Sequence, residues 1–322
     1  MKAAVTTKPG SPEVIELQEK SIPSAKKGWV LIKIKAFGLN RSEIFTRQGD
    51  SPNVKFPRIK GIECVGMVEE DASGKYKKGQ QVAAIMGGMG RDFDGGYAEY
   101  TLVPEKIVFP FHSELPWATL GAMPEMFQTV SGSLSQALEV RKNELLLIRG
   151  GTSSIGMLAC QLAKHLGLKV ISTTRKVEKE EYLKANGADL VIIDNGNIKE
   201  QVKNLFPDGV DKVLELIGTR TLKDSLKCIK PGGMVCVTGI LGSEWTMKEF
   251  TPMGDIPSLG RLTVYMGEAG NLQKKSLQEF IAAVESGDIR ITIDRTFKLD
   301  EIVEAHKYME SNEAKGKIVV EI

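Results

Sequence analysis

A glycine-rich turn between an apolar run and a helical pattern is the part of this sequence best suited to bind an anion. The run Leu145–Ile148 is short, continuous and apolar, which is typical of a buried parallel strand. Residues 150–156 follow as Gly-Gly-Thr-Ser-Ser-Ile-Gly, and apolar residues then recur at helical spacing. Free N–H groups and the positive end of a helix dipole attract phosphate at such a helix start. The turn therefore predicts a phosphate site.

The turn departs from the three-glycine dinucleotide pattern at its middle position. Gly150 suits the tight turn and Gly156 suits close helix–strand packing, but Ser153 stands where the second glycine is usual. Its Cβ crowds a pyrophosphate, whereas its hydroxyl could donate a hydrogen bond to one. Similar turns occur in proteins that bind no nucleotide, so both interpretations stay open at this point. As a cofactor site, the turn would use Gly150, Gly151, Thr152, Ser153, Ser154 and Ile155.

The end of the next strand favours one cofactor over another. The segment Leu168–Ser172 predicts a strand, and it ends at Thr173, Thr174, Arg175 and Lys176. Thr174 lies near the usual offset of about 20 residues from the first glycine. An acid at this place bonds a ribose 2′-hydroxyl, whereas arginine accommodates a 2′-phosphate. The basic, hydroxylated end predicts NADPH rather than NADH, and a solvated basic loop is the alternative.

Length and composition limit the class of protein. The chain has 322 residues, enough for about two domains, and 42% of them are hydrophobic. The net charge of +2, with both signs interspersed, gives no reason to expect nucleic acid as a partner. No apolar stretch approaches the roughly 20 residues of a membrane span, and the N-terminus lacks a secretory h-region. Four cysteines without a C-x-x-C pair suit a reducing cytoplasm.

The pattern of elements changes near Pro116. Before it, short strands punctuated by glycine and proline predict a barrel-like all-β unit; they are Val30–Ala36, Gly61–Glu70, Gln81–Ile85 and Ala98–Val103. After it, strands alternate with helices, which predicts a doubly wound parallel sheet. Its strands are Leu145–Ile148, Lys169–Ser172, Leu190–Ile193, Lys212–Leu216, Met234–Thr238 and Leu262–Tyr265.

The strand ends of this sheet supply further cofactor candidates. Glycines follow two of the strands, on the side where ligands bind in such sheets, so we add Ile217, Gly239 and Ile240 to the predicted site. The remaining segment predicts a return to the first domain through a helix, a strand, a helix and a strand; these are Leu272–Ser286, Ile291–Phe297, Leu299–Met309 and Lys317–Ile322.

Taken together, these motifs resemble the medium-chain dehydrogenase/reductase superfamily, and in particular its zinc-free, quinone oxidoreductase-like branch. The resemblance spans essentially the whole chain. Its marks, in order, are Gly38-Leu-Asn-Arg-Ser-Glu43, Arg47-Gln-Gly49, Gly61-Ile-Glu-Cys-Val-Gly66, Gly95-Gly-Tyr-Ala-Glu99, the turn at 150–156, Asn186-Gly-Ala-Asp189, Pro231-Gly-Gly233 and Gly316-Lys-Ile-Val-Val320.

The resemblance implies an α/β fold with a GroES-like β-barrel catalytic domain and a doubly wound Rossmann nucleotide-binding domain. We expect the first domain at 1–116 and 267–322 and the second at 117–266, with the active site in the cleft between them. It also implies a homodimer that pairs through the last strand of the nucleotide-binding sheet, near Leu262–Tyr265.

Zinc is not expected, because residues that the zinc-dependent relatives use as ligands are replaced here. This chain has Asn40 where they have cysteine, and Ile62 where they have the histidine of Gly-His-Glu. Glu125, near a further ligand position, stands without obvious partners. The three histidines are scattered, and residues 86–96 contain no cysteine of a structural zinc lobe. We therefore predict no metal site.

The resemblance suggests three catalytic candidates. Asn40 could donate to a developing enolate, or it could cap the turn before Arg41. Arg47 could be a fixed donor near the substrate mouth, or it could pair with Glu43 at i,i+4. Glu125 could tune a proton or cap the following helix.

The expected ligand surfaces complete the site. Thr129 is expected beside the nicotinamide by resemblance, and Tyr97 is more typical of a structural turn than of a catalytic acid. Aromatic and apolar residues at strand ends and loops suit flat conjugated substrates, although each could belong to the core; they are Phe45, Ile62, Phe93, Trp245 and Tyr265.

The predicted function is NADPH-dependent, zinc-independent reduction of quinones or α,β-unsaturated carbonyls by hydride transfer. Two alternatives stay open. One is a reductase of enoyl thioesters, which would need basic residues to hold a coenzyme A phosphate. The other is a non-catalytic NADPH-binding sensor or RNA-binding protein, against which the near-neutral charge argues.

Overall fold

The computed structural model describes residues 1–267, 272 and 274–322. The chain divides into two compact units, which are treated separately below. The first unit comprises residues 1–128, the described part of 268–287, and 291–322. The second comprises 129–267 and 288–290.

The first unit is built mainly of antiparallel strands. One sheet has seven strands in the order β15-β16-β3-β5-β6-β8, with β7 paired to β3, and a smaller sheet has the order β2-β1-β4. An isolated antiparallel bridge also pairs Ala3 of the smaller sheet with Ala98, which precedes β7. The strands are β1 (Lys2–Thr6), β2 (Ile15–Glu19), β3 (Trp29–Gly38), β4 (Arg58–Ile59), β5 (Glu63–Asp71), β6 (Gln81–Ile85), β7 (Tyr100–Pro104), β8 (Val108–Pro110), β15 (Ile293–Lys298) and β16 (Lys317–Glu321).

The α-helices that lie wholly within the described part of this unit are α1 (Arg41–Gln48), α2 (Trp117–Ala122), α9 (Lys274–Glu285) and α10 (Ile302–Ser311). All four strands predicted before Pro116 are present, with bounds shifted by up to two residues. The predicted helix at Leu272–Ser286 begins at Lys274, and residue 273 lies outside the described residues. Gly66 allows β3 and β5 to approach closely, because a Cβ there would lie 2.1 Å from the Lys33 carbonyl oxygen.

The first unit extends beyond the boundary expected at Pro116. Helix α2 follows that proline and contacts β3 and β16, which belong to the first unit. Gly121 permits this packing, since a Cβ there would lie only 2.7 Å from the Cβ of Ala36. The division falls instead within α3 (Pro124–Gly132), between Gln128 and Thr129.

The second unit contains a six-stranded parallel sheet in the order β11-β10-β9-β12-β13-β14. All six predicted strands are present, so the doubly wound sheet is confirmed. The strands are β9 (Leu145–Arg149), β10 (Lys169–Thr174), β11 (Leu190–Ile193), β12 (Val210–Glu215), β13 (Ile229–Val237) and β14 (Arg261–Val264). The helices are α4 (Ser154–His165), α5 (Glu180–Ala185), α6 (Lys199–Leu205), α7 (Thr219–Leu226) and α8 (Pro252–Asp255).

The order of strands decides where a ligand can bind in this unit. The chain starts at β9 in the middle of the sheet, moves outward to β10 and β11, and then crosses to β12 on the other side of β9. Ligands bind at the carboxyl edge of such a sheet, beside the point where the order reverses. That point lies between β9 and β12, directly beyond the glycine-rich turn.

Among the described residues, no helix combines the length and the apolar character needed to cross a bilayer.

Candidate functional site

The glycine-rich turn is held tightly against the end of β10. The Gly150 N–H donates to Thr173 Oγ1 at 3.1 Å, and the Gly151 N–H donates to the Thr173 carbonyl oxygen at 3.1 Å. Gly150 has a φ of +96°, a conformation that side chains disfavour. A Cβ on Gly151 would lie 1.9 Å from Ser172 Oγ, so no side chain fits there. The turn therefore presents bare backbone at the carboxyl edge of the sheet.

Ser153 caps the helix that follows the turn. Its Oγ accepts from the Gly156 N–H at 3.0 Å and donates to the Gly150 carbonyl oxygen at 2.9 Å. The suggestion that this hydroxyl donates to a pyrophosphate is thus not supported, because its proton is used inside the turn.

The backbone at the start of α4 remains suited to an anion. The helix begins at Ser154, so the N–H groups of Ser154 and Ile155 have no acceptor within the helix. Bare glycine backbone beside two such donors fits a phosphate group of a dinucleotide.

The end of β10 divides into internal and exposed groups. Thr173 is buried against the turn, and the Thr174 hydroxyl accepts from the Lys176 N–H at 3.1 Å. Arg175 and Lys176 are exposed. Of the four residues predicted to choose between cofactors, the two basic ones are therefore those whose side chains lie in solvent.

The ends of β12 and β13 complete the same edge. The Glu215 Oε1 accepts from the N–H groups of Ile217 at 2.8 Å and Gly218 at 3.0 Å. A Cβ on Gly239 would lie 2.5 Å from the Leu216 carbonyl oxygen, which requires glycine. Since β10, β9, β12 and β13 are consecutive neighbours in the sheet, the cofactor candidates at their ends share one edge.

Thr129 is connected to this edge through Ser133. The Ser133 hydroxyl lies 2.7 Å from the Thr129 carbonyl oxygen and 2.9 Å from Thr238 Oγ1, just after β13. The Tyr265 ring is buried beside Gly132, where a Cβ would come within 1.9 Å of it. Thr129 thus lies near the end of β13, whereas Tyr265 fills space in the packing of α3.

In the first unit, Asn40 belongs to a buried charged centre. Lys317 Nζ donates to Asn40 Oδ1 at 2.6 Å and lies 2.9 Å from Glu63 Oε1. Asn40 Nδ2 donates to the same Glu63 oxygen at 2.8 Å and has a longer contact of 3.4 Å with the Gly38 carbonyl oxygen. Lys317 and Glu63 are almost completely buried. We call Lys317, Glu63, Asn40 and Glu125 the lysine centre.

Glu125 lies at the edge of the lysine centre. Its Oε2 is 3.8 Å from Lys317 Nζ, and its backbone N–H donates to Glu63 Oε2 at 2.8 Å. Burial alone would lower the pKa of Lys317, but the Glu63 and Glu125 carboxylates raise it above its ordinary value. The ammonium is therefore a permanent positive charge beside the carboxamide of Asn40.

The structure corrects both interpretations of Arg47. Its side chain is fully buried, and its guanidinium donates to the Gly10 carbonyl oxygen at 2.9 Å, to His306 Nδ1 at 3.0 Å and to Glu310. The ion pair is with Glu310 in α10, not with Glu43. A guanidinium held by these partners serves the packing of α1 on α10, and its burial does not suit a donor at a substrate mouth.

The buried carboxylate of Glu43 accepts three hydrogen bonds. Its carboxylate accepts from Asn40 N at 2.7 Å, from Ile62 N at 2.9 Å and from the Tyr97 hydroxyl at 2.8 Å. Tyr97 is therefore internal, in agreement with its interpretation as a structural residue. Burial raises the pKa of Glu43 to about 7, although these hydrogen bonds oppose the shift. Burial also lowers the pKa of the adjacent Lys60 to about 7.

The residues predicted to line a substrate pocket fall into both units. Phe45, Ile62 and Phe93 lie in the first unit, whereas Trp245 and Tyr265 lie in the second. Ile62 is buried, and Phe93 packs edge-on against Trp29 with ring centroids 5.2 Å apart. Trp245 is 63% exposed, which is unusual for a side chain of this size. These contacts favour a packing role for Phe93 and leave Trp245 as the most accessible of the five.

Within the described part of the chain, no group of three or more histidine, cysteine or acidic residues is arranged to hold a metal ion. At the two replaced ligand positions, Asn40 faces an ammonium and Ile62 is buried.

The sequence analysis did not identify two of the buried cations, Lys317 and Arg149, as functional candidates. Lys317 begins an apolar strand and meets Asn40 across most of the length of the chain. Arg149 ends the apolar run of β9, and its buried guanidinium pairs with Asp194 and Asp224. A lone charged residue at the end of an apolar strand is the pattern that would have marked both.

Comparisons with known proteins agree with this architecture. A family model of the alcohol dehydrogenase GroES-like domain matches residues 26–113, and a model of zinc-binding dehydrogenases matches residues 186–320. The chain is 28% identical to a quinone oxidoreductase of Rattus norvegicus, over 97% of this chain and 94% of that protein. It is 30% identical to the chloroplastic NADPH-dependent alkenal/one oxidoreductase of Arabidopsis thaliana, over 99% of this chain and 79% of that protein.

Solved structures show the same fold. The crystal structure of AibC superimposes with a TM-score of 0.90 at 26% identity, covering 100% of this chain and 95% of that one.

The fold, the glycine-rich turn and these matches define an oxidoreductase with a GroES-like domain and a Rossmann-like sheet. The chain belongs to the medium-chain dehydrogenase/reductase superfamily, in its quinone oxidoreductase-like branch. The nucleotide-binding fold of this family supports a pyridine nucleotide as cofactor.

Proposed function

We propose that this protein is an NADPH-dependent, zinc-independent reductase of quinones or α,β-unsaturated carbonyls. The observation that carries the proposal is the bare backbone of the turn at 150–155, beside the exposed Arg175 and Lys176. The first feature suits a pyrophosphate, and the second suits a ribose 2′-phosphate. The names of the quinone oxidoreductase and alkenal/one oxidoreductase relatives support the class of acceptor.

The bound cofactor supplies a hydride, and the protein must orient the acceptor and stabilise the oxygen on which negative charge develops. We assign this stabilisation to Asn40. One of its amide protons is used by Glu63, but the other has only the 3.4 Å contact with Gly38, which is long for a hydrogen bond. The Lys317 ammonium on Asn40 Oδ1 polarises the amide and strengthens that donor.

Glu125 is the remaining acid–base candidate. Its carboxylate is 15% exposed at the edge of the lysine centre, which suits exchange of a proton with solvent better than the fully buried Glu63 does. In this proposal Glu125 tunes the proton that completes the reduction, and solvent supplies it.

The absence of a zinc requirement is proposed from the chemistry of the side chains. An asparagine and an isoleucine stand at two positions where zinc-dependent relatives are expected to have ligands. In this chain the Lys317 ammonium supplies positive charge between Asn40 and Glu63. A cation at that place repels a metal ion.

We further propose a homodimer and a cytoplasmic location. Strand β14 ends the sheet order, and apolar side chains near it are exposed; they are Met253, Leu259, Val264 and Met266. An edge strand with exposed apolar neighbours is suited to pairing with a second copy. The four cysteines are free and buried, which suits a reducing compartment.

The function is tested by following oxidation of NADPH and of NADH with a panel of quinones and enones, with EDTA present. Turnover that prefers NADPH and survives EDTA is expected. The variant Asn40→Ala should lower kcat by about 10²-fold, the usual effect of losing one oxyanion donor, with little change in the Kd for NADPH.

Glu114→Gln provides the control for Asn40→Ala, since Glu114 is an exposed carboxylate of the same unit that does not belong to the lysine centre. Loss of activity with EDTA would contradict the proposed zinc independence. Binding of NADPH without turnover of any acceptor would contradict the proposed reaction.

A further inference from the structure

Arg149 lies inside the second unit, immediately before the glycine-rich turn. Its side chain has no exposed surface. Nε donates to Asp194 Oδ2 at 2.8 Å and Nη2 donates to Asp194 Oδ1 at 2.9 Å, which makes a two-point contact. Nη1 donates to Asp224 Oδ2 at 2.7 Å, to the Thr221 carbonyl oxygen at 3.1 Å and to Ser225 Oγ at 3.1 Å. The guanidinium thus joins the ends of β9 and β11 with helix α7.

Asp194 follows β11 and lies beside the segment that is expected to choose the cofactor. Its backbone N–H donates to the Thr174 carbonyl oxygen at 2.7 Å. Its carboxylate also accepts from the Gly196 N–H at 2.8 Å. Burial alone would raise the pKa of Asp194, but the hydrogen bonds from Arg149, its charge, and further hydrogen bonds from Gly196 and Thr173 hold it below the ordinary value. Asp194 is therefore an ionised acid at the carboxyl edge of the sheet.

An ionised acid at this edge has a known effect on cofactor choice. A carboxylate near the end of the second strand accepts from a ribose 2′-hydroxyl and repels a 2′-phosphate. Asp194 comes from the strand next to β10, and its side chain is only 8% exposed. Its two oxygens are turned inward to Arg149.

We propose that Arg149 is a positioning residue for cofactor specificity, because it neutralises Asp194 and holds that carboxylate away from the 2′-position of the ribose. Arg175 and Lys176 then determine the charge that a 2′-phosphate meets. This inference rests on the proposed preference for NADPH and deepens it. It assigns the preference partly to a residue that has no exposed surface.

The carboxylates around Arg149 explain why replacing this one residue should measurably change the preference between NADPH and NADH. Asp194, Asp224 and Glu215 lie around the guanidinium, and each affects its pKa. Removing the single cation would leave these carboxylates uncompensated beside the anion-binding turn. Lysine would replace the charge but not the two-point contact with Asp194, because an ammonium lacks the planar fork.

The test is a double-mutant cycle read as the ratio of the Kd for NADH to the Kd for NADPH, measured by cofactor fluorescence. Arg149→Met should lower this ratio by roughly 10-fold or more, as expected for coupled neighbouring groups. Asp194→Asn alone should change the ratio by less than about 3-fold, because the carboxylate is already neutralised. The double variant Arg149→Met/Asp194→Asn should return the ratio to within about 3-fold of the wild-type value.

Two further variants separate specificity from folding. Lys212→Met removes a different buried cation of the second unit, which pairs with Glu144 near the amino end of β12. This variant should lower the melting temperature without changing the ratio. Arg149→Lys retains the charge and should fold, so it takes the place of Arg149→Met in the test if Arg149→Met does not fold. It should lower the ratio by roughly 3- to 10-fold.

The proposal is overturned if Arg149→Met and Arg149→Lys lose stability while the ratio stays unchanged, or if the double variant is no closer to wild type than Arg149→Met. The measurement does not depend on turnover. If the wild-type protein itself binds NADH as tightly as NADPH, the proposed function fails on that point, and the cycle still shows whether Arg149 and Asp194 act on the 2′-phosphate.

Discussion

Both units bury a cationic centre, formed by Lys317 in the first and by Arg149 in the second, and these two centres differ in shape. In the first unit, the compact ammonium of Lys317 lies 2.6 Å from Asn40 Oδ1 and 2.9 Å from Glu63 Oε1. In the second unit, the planar guanidinium of Arg149 bridges Asp194, which follows β11, and Asp224 in helix α7. The first centre gathers its acceptors around one point, whereas the second spans acceptors at a strand end and in a helix.

The difference shows how the fold selects the cation. Antiparallel strands β3 and β16 bring Gly38 and the start of β16 together, and the space beside Gly38 is so small that a Cβ would lie 2.3 Å from Lys317 Cε. Only a slender side chain fits there. The carboxylate partners of Arg149 lie further apart, after β11 and in α7, and a planar, branched fork reaches both. In our proposals the lysine centre acts on a substrate oxygen, and the arginine acts on the loop that chooses the cofactor.

The largest expected effect comes from removing the lysine. Lys317→Met leaves Glu63 buried without its cation, which should lower the free energy of unfolding by about 3–5 kcal/mol. Urea unfolding measures this change. Lys298→Met is the matched control, because Lys298 pairs with Glu321 of β16 in the same sheet but is 66% exposed, and it should cost at most about 1 kcal/mol. Equal losses in the two variants would show that burial does not distinguish the pairs.

The next effect concerns the turn in the second unit. Gly151→Ala places a Cβ 1.9 Å from Ser172 Oγ, so the turn must move. We expect a loss of about 1–3 kcal/mol in stability and a weakening of NADPH binding by at least about 10-fold. Gly232→Ala, at a φ of +80° with open space for a Cβ, should cost stability without affecting NADPH binding. Calorimetry for unfolding and titration for binding separate the two effects.

A pH-dependent effect is expected in the first unit from Glu43. Burial raises its pKa to about 7, above the value of the unfolded chain, so the folded state holds a proton that the unfolded state releases. The stabilisation is complete below the unfolded pKa and is lost as pH rises through about 7. Between pH 5 and 7 the contribution of Glu43 to the free energy of unfolding should therefore fall by about 1–3 kcal/mol. Buried His306, whose pKa is held well below its ordinary value, contributes in the opposite sense over the same range, so the Glu43 contribution is measured as the difference between the wild-type protein and Glu43→Gln.

Glu43→Gln should change the pH dependence by the amount of the Glu43 contribution, whereas Glu99→Gln, which removes a carboxylate that accepts from Lys2 N in the same unit, should keep the wild-type pH dependence. The comparison is restricted to pH 7 and below, because Lys60, with its pKa lowered to about 7, acts in the opposite sense as pH rises further. A pH dependence that is unchanged in Glu43→Gln would assign the proton to another group.

The smallest effect is expected from Ser153. Since its hydroxyl caps α4 and donates back to Gly150, Ser153→Ala should cost about 1 kcal/mol of stability and change the Kd for NADPH by less than about 3-fold. Ser153→Thr should retain the cap and serve as the control. A large loss of affinity with unchanged stability would show that the hydroxyl contacts the pyrophosphate after all.

The architecture was predictable because its periodic patterns are local. The six parallel strands from Leu145 onwards, the return of the chain to the first unit and the place of the glycine-rich turn were all found in the sequence. A continuous apolar run, a turn and a helical spacing each depend on residues that are close together along the chain. The boundary near Pro116 was less well predicted, because the packing of α2 on β3 and β16 depends on distant residues.

The roles of single polar residues were harder to predict. Arg47 was interpreted as a donor near the substrate or as a partner of Glu43 by spacing, yet its carboxylate partner is Glu310, far along the chain. The Ser153 hydroxyl could have donated to a pyrophosphate, yet it closes the turn. In both cases the local spacing was compatible with several partners, and only the packed fold selected one.

By itself, the sequence determined the family pattern, the two kinds of sheet and the anion-binding turn, since these follow from hydrophobic period, glycine conformation and helix polarity. The tertiary structure alone decided which charges are buried together. Lys317 meets Asn40, and Arg149 meets Asp194, through pairings of strands distant in sequence. These pairings matter because a buried charge is no longer stabilised by water and depends mainly on its nearest charged partner.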